Sequence, residues 1–417
     1  MNADLVYARL RAETEQCYRP AHRGIVAKCR RIAEDVPIRN TERCKCVEIL
    51  HALDVPILYL SQQTERPALL SKLVVRPTDE GDPGVALGIA DNNTTGKFLK
   101  INFKLETIIA KPSENLVALA GDAIKSGARV VVVNAPAATL SAIATLPGAE
   151  NDLFMNAGSM KTTLRSDQCH KNVLHTLPSR AMLSDALMQL FSKRRWKSLF
   201  LIEGLRPNDT AFANALRNSA RKFRLKITED KKWLADADIR RTASTEVPAF
   251  TQARSYDVIV VADEDRDFSP FILYNTWLPR PVGGSAGVRA MAWSHVIEQW
   301  GAVQLQNRFK KISKRRMTSR DYSAWAAVRA IGEAVLRTNT AEPEPLRAYM
   351  LSDKFALAGF KGPKLTFRPW NGQLRQAIPL VHANGVVANA PLEGFLHKRT
   401  ELDTLGLDKP LSKCSKF

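Results

Sequence analysis

The chain lacks any run of about eighteen consecutive apolar residues, so it offers no membrane-spanning helix of the usual kind. Near its start there is no apolar core followed by a small-residue cleavage site, and read literally the chain carries no export signal. Nucleophile signatures are missing too. Gly-x-Ser-x-Gly does not occur, and no His, Ser or Cys stands in a motif that would activate it. Gly283-Gly284-Ser285-Ala286-Gly287 is glycine-rich, but no Lys-Ser/Thr pair follows it, which argues against a nucleotide phosphate loop. No catalytic residue and no cofactor are expected.

Acidic residues are scarce relative to basic ones: 42 Asp and Glu stand against 61 Lys and Arg, a net charge of +19. Such a balance favours nucleic acid, an anionic membrane surface or an acidic partner without choosing among them. The densest basic run is Lys310, Lys311, Lys314, Arg315, Arg316 and Arg320, flanked only by Phe309 and Tyr322. Nucleic-acid binding would call for interleaved aromatics or a known motif, so a solvated face is expected and nucleic acid is not an expected partner.

Cysteine is rare and unevenly placed: Cys17, Cys29, Cys44 and Cys46 lie early, Cys169 and Cys414 far downstream. The Cys44-x-Cys46 pair near His51 does not match the spacings of structural zinc sites, and no metal is expected. Disulfides, or an artefact of the start position, are the alternatives. Cys169 and Cys414 could pair in an oxidising compartment, although spacing alone does not fix connectivity.

At 417 residues, of which 45% are hydrophobic and 25% charged, the chain has the composition of a globular protein with two or more cores. Residues 1–53 are rich in Arg and Cys with weak apolar periodicity. From Asp54 onward, buried-strand and helix signals alternate. Apolar runs at 55–60, 101–105, 129–133, 198–202 and 256–261 read as strands. Periodic segments at 84–92 (with Gly96 as terminator), 116–126, 181–191 and 212–223 read as helices. Continuous apolar strands separated by helices predict an α/β protein with two parallel sheets flanked by helices. In such sheets ligands lie beyond the carboxyl ends of the strands. Here those ends read Asn134-Ala135-Pro136, Asn156-Ala157-Gly158-Ser159, Glu203-Gly204 and Ala262-Asp263-Glu264, four loops that could converge on one cleft.

The stretch 317–380 sharpens this reading. Met317-Thr318-Ser319-Arg320-Asp321-Tyr322 opens a long helix, and Phe355 to Gly362 precedes Leu365-Thr366-Phe367-Arg368-Pro369-Trp370-Asn371-Gly372. This order resembles the C-terminal portion of type I periplasmic binding proteins, the branched-chain amino-acid-binding class of ABC-transporter receptors. Further strings resemble a subgroup encoded beside PQQ-dependent alcohol dehydrogenases: Leu87-Gly88-Ile89-Ala90-Asp91-Asn92-Asn93, Thr276-Trp277-Leu278-Pro279-Arg280-Pro281-Val282 and Glu298-Gln299-Trp300-Gly301.

The resemblance implies a two-lobed periplasmic protein that is not an enzyme and not membrane-embedded. Its ligand would be a small molecule or ion, and its partner ABC transporter membrane subunits or a quinoprotein dehydrogenase. It also implies a division into an extension (1–53), lobe one (54–177), lobe two (178–283), a return to lobe one (284–350), a return to lobe two (351–400) and a tail (401–417). A start near Asp54 would account for both the composition of 1–53 and the missing signal; a genuine extra module is the alternative.

Strand-end logic and the resemblance together nominate Pro136, Ala137, Gly158 and Ser159 from lobe one. From lobe two they nominate Arg206, Asp209, Asp263 and Glu264. Asp209 suits either a helix N-cap or ligand contact. Asp263, Glu264, Asp265 and Asp267 suit either a capping loop or oxygen ligands for a hard cation, without the glycine and terminal glutamate of an EF-hand loop. A non-transport interaction or maturation factor of the same fold is the second functional reading, favoured by a filled cleft.

Overall fold

A computed structural model describes residues 52–66, 74, 76–234 and 239–417. The early cysteines Cys17, Cys29, Cys44 and Cys46, and the role expected for the extension, therefore lie outside the described residues.

Four valines followed by asparagine make β3 (Val130–Asn134), buried along its whole length as a central parallel strand must be. Around it, β1 (Leu53–Gln62), β2 (Ile101–Ala110), β4 (Leu153–Asn156) and β5 (Val173–His175) form a parallel sheet in the order β2-β1-β3-β4-β5. A second parallel sheet takes β6 (Ser198–Glu203), β7 (Lys226–Lys232), β8 (Val258–Ala262) and β9 (Val282–Gly284) in the order β7-β6-β8-β9. Strand β7, Lys-Ile-Thr-Glu-Asp-Lys-Lys, alternates between exposed and half-buried residues. Its charged residues protect the sheet edge from further pairing, and its polarity hides it from an apolar-run search.

Lobe one carries helices α1 (Asp82–Leu99), α2 (Leu116–Lys125) and α3 (Ala137–Ala144). Lobe two carries α4 (Arg180–Lys193), α5 (Pro207–Lys222), α6 (Ile239–Thr251) and the short α7 (Ser269–Ile272). Helices α8 (Ala302–Ser313), α9 (Ser319–Thr338) and α10 (Pro343–Leu351) follow. Gly96 does not end α1, as expected, but lies buried within it; the helix runs on to Leu99 and closes at Lys100 in the left-handed region. The buried glycines of α1 serve packing instead. A Cβ on Gly84 would stand 2.1 Å from the Asp321 carbonyl oxygen, so only glycine lets α9 approach this closely.

Each sheet has a core on both faces. Trp293, Phe309, Trp325, Phe355, Leu365 and Phe367 pack with Val55, Phe103 and Val132 of lobe one. Ile378, Leu380, Ala390 and Leu405 pack with Met182, Phe191 and Val260 of lobe two. The chain thus crosses between lobes at 176–180, 290–292 and 375–378. In the last of these regions the hairpin β11 (Thr366–Phe367) and β12 (Leu374–Arg375) gives way to β13 (Ile378–His382). The final residues are anchored rather than loose: Asp403 accepts from Arg368 (2.7 Å) and Arg375 (2.8 Å), and Cys414 is disulfide-bonded to Cys169.

Candidate functional site

At the lobe-two rim, β6 ends at Glu203, Gly204 follows it, and α5 begins after Arg206, its N-cap residue. Asp209 completes the capping arrangement. One oxygen accepts from the Arg206 N–H (3.1 Å) and the other from the Glu264 N–H (2.8 Å), so one carboxylate ties two loops together. Burial raises its pKa to about 6, with Asp263 and Asp265 nearby adding to the rise. Asp263 plays the same part for α7. Its oxygens accept from the backbone N–H groups of Asp267, Phe268 and Ser269 at 2.7–3.0 Å. Its own N–H donates to Ser285 Oγ.

The acidic loop is therefore committed. Both Glu264 oxygens accept from Arg180, at 2.6 and 2.7 Å, and Asn208 accepts from the same guanidinium. Arg206 forks between Asp265 and Asp267, each at 3.0 Å. Of the two readings of this loop, the capping one matches the geometry, and no cluster suited to a metal occurs among the described residues. The glycine-rich turn is equally self-contained: Gly284, Ser285 and Val288 donate their N–H groups to Val288, Val261 and Val282 carbonyls.

In lobe one, Asn134 at the end of β3 donates to the Glu80 carbonyl (2.7 Å) and to the Tyr59 hydroxyl (3.1 Å). Tyr59 in turn donates to Asp82 (2.9 Å). Burial raises the Asp82 carboxyl to about 6. Pro136 is the N-cap of α3 and Ala137 its first residue. Gly158 lets the loops after β3 and β4 touch, because a Cβ there would stand 2.5 Å from the Ala135 nitrogen. Ser159 is buried, its N–H donating to Asn156 Oδ1 and its carbonyl accepting from Asn156 and Arg165.

The two rims face each other. Arg76 of lobe one lies in the field of Asp265, Arg206 and Asp263. Arg320, in the first turn of α9, sits 3.7 Å from Glu80 and feels Glu264 from across the cleft. Two surface hollows of about 380 and 540 Å³ are present: the nominated Ala137 borders the first together with Lys161 and His170, and Gln62, Glu114 and Thr139 line the other.

Two parallel sheets, loops meeting at their carboxyl ends and several chain crossings are also the architecture of solved transport proteins. A branched-chain amino acid ABC transporter periplasmic ligand-binding protein from Burkholderia xenovorans superimposes with a TM-score of 0.67 at 16% identity, covering 87% of this chain and 99% of that one. The fold is that of the periplasmic binding proteins. A periplasmic binding protein from Burkholderia mallei gives 0.63 at 13% identity, with the same coverage of both chains. A solute-binding ABC transporter protein from R. palustris in complex with benzoate gives 0.61 at 10%, again covering 87% and 99%. At such identities the likeness is one of fold. No family model and no curated protein matches the sequence.

Within this periplasmic-binding-protein fold the basic run 310–320 divides. Lys310, Lys311, Lys314 and Arg316 are exposed as expected. Arg315 instead pairs with Asp79 (2.8 Å) and the fully buried Asp321 (2.6 Å), and Arg320 turns toward the cleft. Sequence reasoning also passed over Arg266, which sits inside the acidic loop, and Arg289 on β10 (Arg289–Ala290). The signal was present: an arginine in the middle of four carboxylates is an odd choice for a solvated acidic loop.

Proposed function

We propose that this protein is a solute-binding receptor of an ABC-type uptake system, working in the periplasm with transporter membrane subunits and holding a small ligand between its lobes. The observation that carries the reading is the meeting of strand-end loops from two parallel sheets across one cleft, with the lobes joined by short crossings. Lobes joined in this way can hinge, and a ligand touching both favours the closed form. The proposed lining is Pro136, Ala137, Gly158, Ser159, Arg206 and Glu264, with Asp209 and Asp263 acting through the loops they cap. The Cys169–Cys414 bond supports an oxidising compartment. The finer link to PQQ-dependent alcohol oxidation rests on the strings at 87–93, 276–282 and 298–301.

A second reading, a non-transport interaction or maturation factor for a quinoprotein dehydrogenase, draws support from the internal pairing of so many rim side chains. A thermal-shift screen separates the two. Branched-chain amino acids, short alcohols and their acids, PQQ, calcium and lanthanide ions make up the plate. A receptor gains about 2.7 kcal/mol from its ligand at one hundred times Kd. That is a Tm rise of roughly 5–10 °C for lobes of this size. A flat plate favours the interaction factor.

A further inference from the structure

The cleft holds two arginines that nothing pairs. Arg266 lies in the loop after β8, with its Nε buried and without a hydrogen-bond partner among the described residues. Arg289 follows β9 across a tight turn; a Cβ on Gly287 would stand 2.0 Å from the Val282 carbonyl oxygen, so only glycine closes this turn. The Arg289 guanidinium makes no hydrogen bond or ion pair among the described residues and lies beside Arg266. His295, past the second crossing, faces Arg289 and Arg316. Arg76 approaches Arg266 from lobe one.

The carboxylates that might neutralise this group are all engaged. Asp263 and Asp209 cap backbone N–H groups, Glu264 holds Arg180, and Asp265 with Asp267 holds Arg206. Asp263 lies in the field of Arg266, but neither Arg266 nor Arg289 has a side-chain hydrogen bond or ion pair among the described residues, and half-buried like charges are costly to bring together without one. Guanidinium forks match the oxygen pairs of carboxylate and phosphate. An amino acid would add an ammonium group, which needs a carboxylate or a ring of acceptors, and every rim carboxylate is already held.

We infer that the cleft takes a small oxyanion bearing two or more negative charges, a polycarboxylate or a phosphate, seated between Arg266 and Arg289 of lobe two and Arg76 of lobe one. The inference deepens the receptor reading and rests on it. Such a ligand would draw the lobes together by giving Arg266 and Arg289 of lobe two a partner that Arg76 of lobe one also reaches.

The test is titration calorimetry of the full chain with inorganic phosphate, citrate, succinate and leucine. At least one of the three anions binds, and phosphate against the two carboxylates separates the sources of the oxyanion. Arg266→Gln and Arg289→Gln each weaken that binding tenfold or more. Lys310→Gln, an exposed change of equal charge, leaves it within twofold. Added salt weakens anion binding to the wild-type protein, a readout independent of how well the variants fold. Anion binding that survives both arginine changes overturns the site. Leucine binding in the cleft while all three anions fail overturns the ligand class but leaves the receptor reading intact. No binding by any anion overturns the inference, and the receptor reading then stands or falls on the wider thermal-shift plate.

Discussion

The hinge and the cleft both bury cations, yet they treat them in opposite ways. At the hinge, Lys361 is fully buried and donates to the Ala292 carbonyl (2.9 Å) and Gln376 Oε1 (2.6 Å), while Gln376 donates to the Thr176 carbonyl (2.8 Å). One lysine and one glutamine thus knit all three crossings. Arg165 is equally buried and gives its donors to Gln373, Ser159, Lys161 and Leu177. Burial lowers its pKa to about 9, with nearby Arg180 adding to the effect. Neutral oxygens take two of the three Lys361 donors, with the Tyr322 ring beside the ammonium, and four of the five Arg165 donors. At the cleft, Arg266 and Arg289 have no such oxygens. A buried cation whose donors go mostly to protein oxygens is accounted for by the fold; one whose donors go unused calls for a partner from outside it, which is the basis of the inferred anion site.

The contrast breaks first where a structural pair is removed. Asp403→Ala strands Arg368 and Arg375 together and should cost about 3–5 kcal/mol in urea unfolding. Cys169→Ser opens the bond that fastens the chain end to lobe one and should cost about 2–4 kcal/mol. Lys361→Ala leaves the Ala292 and Gln376 oxygens unpaired beside a cavity, at about 2–3 kcal/mol.

Lys361 also carries a pH signature. Burial holds its pKa well below the ordinary lysine value in the folded chain. Between the folded and unfolded values the unfolded chain binds the extra proton, so this group makes stability rise with pH across that window and leaves it flat below. Lys361→Met should remove the slope, measured as urea midpoints at a series of alkaline pH values.

The smallest effect belongs to the cleft. Arg289→Ala removes a charge with no partner and should change stability by less than about 1 kcal/mol, in the stabilising direction if at all. A loss as large as that of Lys361→Ala would mean that Arg289 is structural and that the contrast is false.

Much of the fold was legible in the chain because Val130–Asn134 and Val258–Ala262 are apolar enough to announce buried parallel strands. Strand β7 was not, since an edge strand keeps its polar residues in solvent. Gly96 misled for a related reason: glycine marks a helix end or a close contact, and only the Ile101 carbonyl, 2.4 Å from where its Cβ would lie, shows which. Strand-end reasoning named loops at the carboxyl ends of both parallel sheets, which is where the structure places them. It left open whether Asp209 and Asp263 are caps or ligand contacts, because local sequence does not show that the Asp209 carboxylate also takes the Glu264 N–H, 55 residues later. Nor could it separate Arg315 from its exposed neighbours, when one of the two aspartates that hold it, Asp79, lies 236 residues away.

The central claim is that a fixed hinge serves a cleft that closes on its ligand. Small-angle scattering of the wild-type chain with and without the best-binding anion tests it most directly. The account predicts that the radius of gyration falls when the anion saturates the protein, and that Arg289→Gln abolishes the fall at the same anion concentration. A saturating anion that leaves the radius of gyration of the wild-type chain unchanged would contradict it.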